Sequence, residues 1–218
     1  MDYMKIGIDT WRHVLGYMAF ELFNSRYTSM RNLLLASLLC VTPFCFAEDS
    51  FPVPNGYVLQ TLDPTDGKIA RPTDWYYKSE GTPSGWLWTL SAEDPSIGDY
   101  ETGLRMQLLV GVEKKTKKSR YTFAQNFLEN KRTSTTVVRE CPETDLGQFR
   151  RQCLEVIENI KGTHGVNAYH ILYSVLWGNT LDMVVVTTFG APQDKWEAVK
   201  NASEIMSAIE LIGPNFGK

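Results

Sequence analysis

Motifs that would announce an enzyme are missing from this chain. There is no G-x-S-x-G elbow to expose a serine nucleophile, and no serine stands beside an obvious base. Neither a Walker A loop nor a G-x-G-x-x-G turn is present to cradle a phosphate. Histidine is scarce, with three in the whole chain, and the H-E-x-x-H spacing of a zinc helix is absent. In "HGVNAYH", an unbroken strand would place His164 and His170 on one face, but Gly162 and Gly165 put His164 in a loop. Shared metal binding by this pair is therefore disfavoured, and no cofactor or metal is expected. Carboxylates are plentiful but scattered, which is the surface of any acidic protein. These absences weigh against an enzyme without excluding an unfamiliar one.

A basic surplus is also lacking. The formal net charge is −3, which argues against general binding to nucleic acid or anionic membranes. Long apolar runs are lacking too. The longest, "LLLASLLCV" at residues 33–41, falls well short of the ~20 residues that span a bilayer.

That run has another use. From Met30, Arg31 supplies a positive start, residues 33–41 an apolar middle and Pro43 a break, after which Cys45 and Ala47 offer the small-x-small pattern of signal peptidase. Residues 30–47 read as a signal peptide, with cleavage expected after Ala47. A lipoprotein anchor is the competing reading for Cys40 and Cys45, but Leu39 and Phe44 are the wrong residues to precede an acylated cysteine. Residues 1–29 read as an upstream extension, translation starting at Met30; the alternative is a real extension with a helical piece carrying Trp11, Leu15, Met18 and Leu22. Residues 48–218 are then one domain, long enough to bury a core. A periplasmic or secreted location follows, with no stable membrane anchor after cleavage.

Only Cys141 and Cys153 remain beyond the signal. In an oxidising compartment they suggest one disulfide, the alternative being two buried thiols. They lack the C-x-x-C spacing of a redox pair.

Along the mature chain, "YVLQTL", residues 68–70, "WYYKSE", "GWLWTLSAE" and "TGLRMQLLVGVEKKT" read as strands, the glycines and proline of "GTPSG" marking a hairpin. Leu104, Met106, Leu108 and Val110 share one strand face. A helix is expected to begin near Ser119 or Thr122, where Thr122 and Gln125 have the form of a capping box, and to end near Lys131. "TSTTVVREC" turns β-branched, and "QFRRQCLEVIEN" is ambiguous between helix and strand with a lean to strand. In "NAYHILYSVLW" one face carries Tyr169, Ile171, Tyr173, Val175 and Trp177, the other His170, Leu172, Ser174 and Leu176. Gly178-Asn179 turns the chain into "TLDMVVVTTF". A last amphipathic helix carries Trp196, Val199, Ala202, Ile205, Met206 and Ile209, stopped by Gly213-Pro214. The expectation is an α+β fold, a mainly antiparallel sheet covered by amphipathic helices.

The order of these elements, with "RPTDWYY" near the start and "LYSVLWGNTLDMVVVTTFGAPQDKW" before the final helix, resembles the PsbP-like α/β/α sandwich family over roughly residues 57–212. That family includes an extrinsic photosystem protein, a yeast Ran-binding relative and bacterial exported members. The resemblance implies a non-enzymatic scaffold that binds other proteins, and no family binding residue carries over.

Two features are candidates for partner contact. The basic run Lys114, Lys115, Lys117 and Lys118 is either a solvated hairpin tip or a contact for an acidic surface. Trp75, Tyr77, Trp86 and Trp88 lie on alternating aromatic strands and are either core or partner anchors. The reading is an exported, non-enzymatic binding or assembly module for another envelope protein. The alternative is an envelope small-ligand carrier or hydrolase with a pocket between sheet and helix.

Overall fold

The computed structural model describes residues 51–162 and 165–213. Residues 1–29 and 30–47, expected above to be an upstream extension and a signal peptide, lie outside these residues, as does His164. The fold is α+β and strand-dominated, and every paired strand runs antiparallel to its neighbour.

The larger sheet has seven strands. They are β3 (Tyr76–Thr82), β4 (Gly85–Ser91), β5 (Gly103–Val110), β6 (Thr136–Asp145), β7 (Phe149–Gly162), β8 (Gly165–Gly178) and β9 (Met183–Pro192), in the order β3-β4-β5-β9-β8-β7-β6. A smaller sheet places β2 (Gly67–Pro72) between β1 (Tyr57–Leu62) and β10 (Ile209–Glu210). Period-two alternation divides the large sheet cleanly. On one face Trp88, Leu90, Leu104, Met106, Val185 and Phe189 form a core with Leu62 and Ile69 of the small sheet. On the other, Leu154, Val156, Ile171, Tyr173, Val175 and Trp177 form a second core with Val184 and Val186. "QFRRQCLEVIEN" is strand from Phe149 onward, and the two faces read in "NAYHILYSVLW" are the two faces observed.

Three helices are present among the described residues: α1 (Val112–Thr116), α2 (Arg120–Ser134) and α3 (Trp196–Met206). Helix α2 inserts Ala124 and Leu128 into the second core. Helix α3 contributes Trp196, Ala202 and Met206 to the first. On that face the small sheet shares the layer with the helix, so helices alone do not cover it.

Three local expectations are corrected. The lysine run does not prolong β5 to a hairpin tip. Gly111, at φ 70°, ends the strand, and the Asp182 carboxylate accepts from the backbone N–H of Glu113 at 2.9 Å, capping the new helix α1. Helix α2 starts after Ser119, one of the two expected starts, but its cap is Ser119 Oγ accepting from the Thr122 N–H at 3.0 Å rather than a Thr122–Gln125 box, and it runs past Lys131 to Ser134. Helix α3 stops at Met206 because Ile209 pairs across to Ile69 as a strand residue.

Candidate functional site

The lysine run and the aromatic strands have different fates. Trp75 and Trp88 are enclosed in the core, where Trp88 donates from Nε1 to the Asp63 carbonyl at 2.6 Å. Trp75 stacks at 6.1 Å on Phe189. Tyr77 and Trp86 are half-buried against the same core, and the Tyr77 hydroxyl accepts from the Asp63 N–H at 3.1 Å. These strands are aromatic because they bury one face between two sheets. Cys141 and Cys153 stand opposite each other on β6 and β7 and are joined as a disulfide, with Cα atoms 4.9 Å apart.

Lys114, Lys115, Lys117 and Lys118 are all exposed, on α1 and the turn into α2. Two carboxylates at this helix are already engaged. Glu113 pairs with Arg120 at 3.0 Å, and Asp182 caps the α1 backbone. Among the described residues, no carboxylate forms an ion pair with Lys114, Lys117 or Lys118. Arg120 also donates to the Leu181 carbonyl at 2.6 Å, which brings the β8–β9 turn alongside. Two exposed apolar side chains flank the cations here: Leu181, and Tyr121, whose ring meets Trp177 edge-on at 5.8 Å. The missed signal was Tyr121, one residue past the basic run.

A second feature is an open groove of about 450 Å³ over β3, β4 and β5, on the α2 side of the large sheet but away from the strands β7, β8 and β9 that the helix packs on. Tyr100, Tyr169, Leu87, Lys78 and Arg105 line it. Burial raises the Tyr100 phenol above its ordinary value, and Arg105 partly offsets that rise.

A third lies between α3 and the sheet. His170 stacks on Trp196 with ring centroids 4.0 Å apart, and its Nε2 is 2.7 Å from Glu155 Oε1. Glu155 also pairs with Arg139 at 2.9 Å, so this buried carboxylate has two partners. Among the described residues, no serine or cysteine hydrogen-bonds to His170. Further along, a cavity of about 60 Å³ contains Arg151 and Ser174 among leucines. Among the described residues, no group of His, Cys, Asp and Glu is placed to hold a metal ion. No described helix is long and apolar enough to cross a membrane.

No family model matches the sequence, and no curated protein is similar to it. Solved structures do show similarity. The PsbP protein CyanoP of Synechocystis sp. PCC 6803 is 11% identical, over 72% of this chain and 92% of that one, at a TM-score of 0.44. The Ran-binding protein Mog1p of Saccharomyces cerevisiae is 12% identical, over 72% and 95%, at 0.42. A protein of Bacteroides thetaiotaomicron is 16% identical, at 0.40; the chain is covered over 68% of its own length but spans only 46% of that protein. The neighbours thus include PsbP and a Ran-binding protein, the kinds of protein named by the sequence resemblance. At these scores the likeness carries no function across.

Proposed function

We propose that this chain is an exported binding module of the PsbP-like α/β/α kind, which docks an acidic protein of the cell envelope through the surface formed by α1, the start of α2 and the β8–β9 turn. One observation carries the reading. An otherwise acidic protein places Lys114, Lys117 and Lys118, with which no described carboxylate forms an ion pair, beside two exposed apolar side chains, Tyr121 and Leu181, while Glu113 and Asp182 are spent on internal contacts. Aromatic anchors ringed by charge are the anatomy of a protein interface, the charges steering encounter and the ring supplying the buried contact. The export signal and the disulfide support an envelope location.

The test uses a photo-crosslinking side chain at Lys117 and, as control, at Gln60 on β1. Expected is a defined partner adduct from position 117 and none from 60. It should disappear when Lys114 and Lys118 are changed to Glu, with the fold's stability held within about 0.5 kcal/mol. Equal adducts from both positions, or adducts indifferent to charge reversal, would sink the reading. A small-ligand carrier is the second reading, favoured by the groove at Arg105, Tyr100 and Tyr169.

A further inference from the structure

The cavity beneath α3 has an unusual charge balance. Its walls are apolar, formed by side chains such as Leu104, Leu172, Leu176 and Phe189, and Arg151 is the only charged residue lining it. No carboxylate lines it, and no described carboxylate forms an ion pair with Arg151. The nearest acid along that face of β7 is Glu155, which is held by Arg139 and His170. Among the described residues Arg151 makes one hydrogen bond, from Nε to Ser174 Oγ at 2.8 Å, and neither terminal nitrogen has an acceptor there.

Ser174 is the second observation. Its side chain is 4% exposed and accepts from Arg151, yet no described group accepts its own hydroxyl proton. The protons of the other hydroxyls at this wall are committed: Thr187 donates to the Ser174 carbonyl at 3.1 Å, Ser203 to the Lys200 carbonyl at 2.7 Å and Ser207 to the Glu204 carbonyl at 2.7 Å. Arg151 and Ser174 thus bring to the cavity two terminal guanidinium nitrogens and one O–H free to donate, and the remaining hydroxyl oxygens of its lining are neutral, so no anionic acceptor opposes them. A half-buried guanidinium without a counter-charge is costly, and burial depresses its pKa, which an anion in the cavity would reverse. Guanidinium geometry suits a planar carboxylate, gripped by two parallel N–H groups.

Size and polarity narrow the class. A volume of about 60 Å³ accommodates on the order of four to six water-sized groups, far below the ~300 Å³ of a drug-sized pocket. The leucine walls favour an alkyl tail over a fully hydrated oxyanion such as phosphate. We infer that the cavity is a binding site for a short-chain monocarboxylate, its carboxylate on Arg151 and Ser174 and its alkyl end against Leu172, Leu176 and Phe189. The site lies on a different element set from the lysine surface and stands or falls separately.

The test is an NMR titration of the full mature chain with butyrate, alongside butyramide, butylamine and inorganic phosphate. Expected is saturable binding of butyrate with Kd on the order of 1 mM, with shifts centred on the amides of Arg151 and Ser174. Butyramide and butylamine should bind at least ~10-fold more weakly, as should butyrate to Arg151→Met, since each removes one side of the charge pair. Ser174→Ala should lose about 3-fold while remaining folded. Butyramide matching butyrate, phosphate exceeding it, or shifts elsewhere would overturn the inference. So would no saturation by 50-fold above the expected Kd. The neutral isostere needs no substitution, so the result does not depend on Arg151→Met folding.

Discussion

His170 lies flat on Trp196, their rings 4.0 Å apart and 6° from parallel, while the same imidazole reaches Glu155 through Nε2. One ring thus ties the start of α3 to two strands of the large sheet. Trp196 is also edge-on to Phe189, which stacks on Trp75, so the contact belongs to a row of four rings through the first core. Trp196→Ala is expected to cost about 3–5 kcal/mol in urea unfolding. His170→Phe keeps a stacking ring but leaves Glu155 with Arg139 alone, at a cost of about 1–3 kcal/mol. A Trp196→Ala midpoint equal to that of the parent would show that α3 is held by other contacts.

The disulfide joins residues 12 apart on neighbouring strands, inside the β6–β7 hairpin. Closing so short a loop restricts the unfolded chain modestly. The Cys141→Ala, Cys153→Ala double variant should be less stable by about 2–3 kcal/mol. Guanidinium unfolding of the two proteins without reductant checks it, and a difference under about 0.5 kcal/mol would mean that strand pairing alone fixes the hairpin.

At Gly85 the β3–β4 turn requires φ 151°, and a Cβ there would sit 2.1 Å from the Leu108 carbonyl oxygen on β5. Both the conformation and the space demand glycine. Gly85→Ala should cost at least about 2 kcal/mol. Gly81→Ala in the same hairpin, where nothing lies near the missing Cβ, should stay within about 1 kcal/mol and serves as the control.

Alkaline pH should unfold this protein. The Tyr173 phenol is driven well above its ordinary value of 10.0 by burial and by the Glu158 carboxylate it donates to at 2.7 Å. Burial raises Tyr77 and Tyr100 as well. Raised phenols keep their protons in the folded state after the unfolded chain has lost them. Stability is therefore fully present below pH ~10 and is lost as pH climbs beyond it. Melting temperatures between pH 8 and 11 should fall steeply past 10, and Tyr173→Phe should flatten part of that slope. An unchanged slope in Tyr173→Phe would remove Tyr173 as its source.

Strand periodicity made most of the large sheet legible. The alternation of Tyr169 through Trp177 predicts both faces of β8, and Leu104, Met106 and Leu108 predict the buried face of β5. Helix ends were read less well because their determinants are remote. The cap of α1 comes from Asp182, 69 residues away from Glu113, and the end of α3 is set by pairing with Ile69. The lysine run was legible as a charge feature, but not that its neighbouring carboxylates are engaged elsewhere. Trp75 and Trp88 left core and surface open, because the sheet that buries them is assembled from β1, β2 and β10 at opposite ends of the sequence. Arg151 carried no local signal at all. A basic residue in a strand is ordinary until its buried face and missing counter-charge are known.

The strand order also divides the chain in time. Strands β3 to β5 form one run of neighbours and β6 to β9 another, and the two runs join only where β5 meets β9, residues 103–110 against 183–190. Each hairpin can close over a short loop, but this pairing must close across α1, α2 and three strands. The disulfide lies wholly within the second run and shortens this loop only slightly. At a synthesis rate of about 5–20 residues per second, β5 waits seconds for its partner. Until residue 190 has been made, a chain that begins to pair carries an open eight-residue edge at the middle of its future sheet.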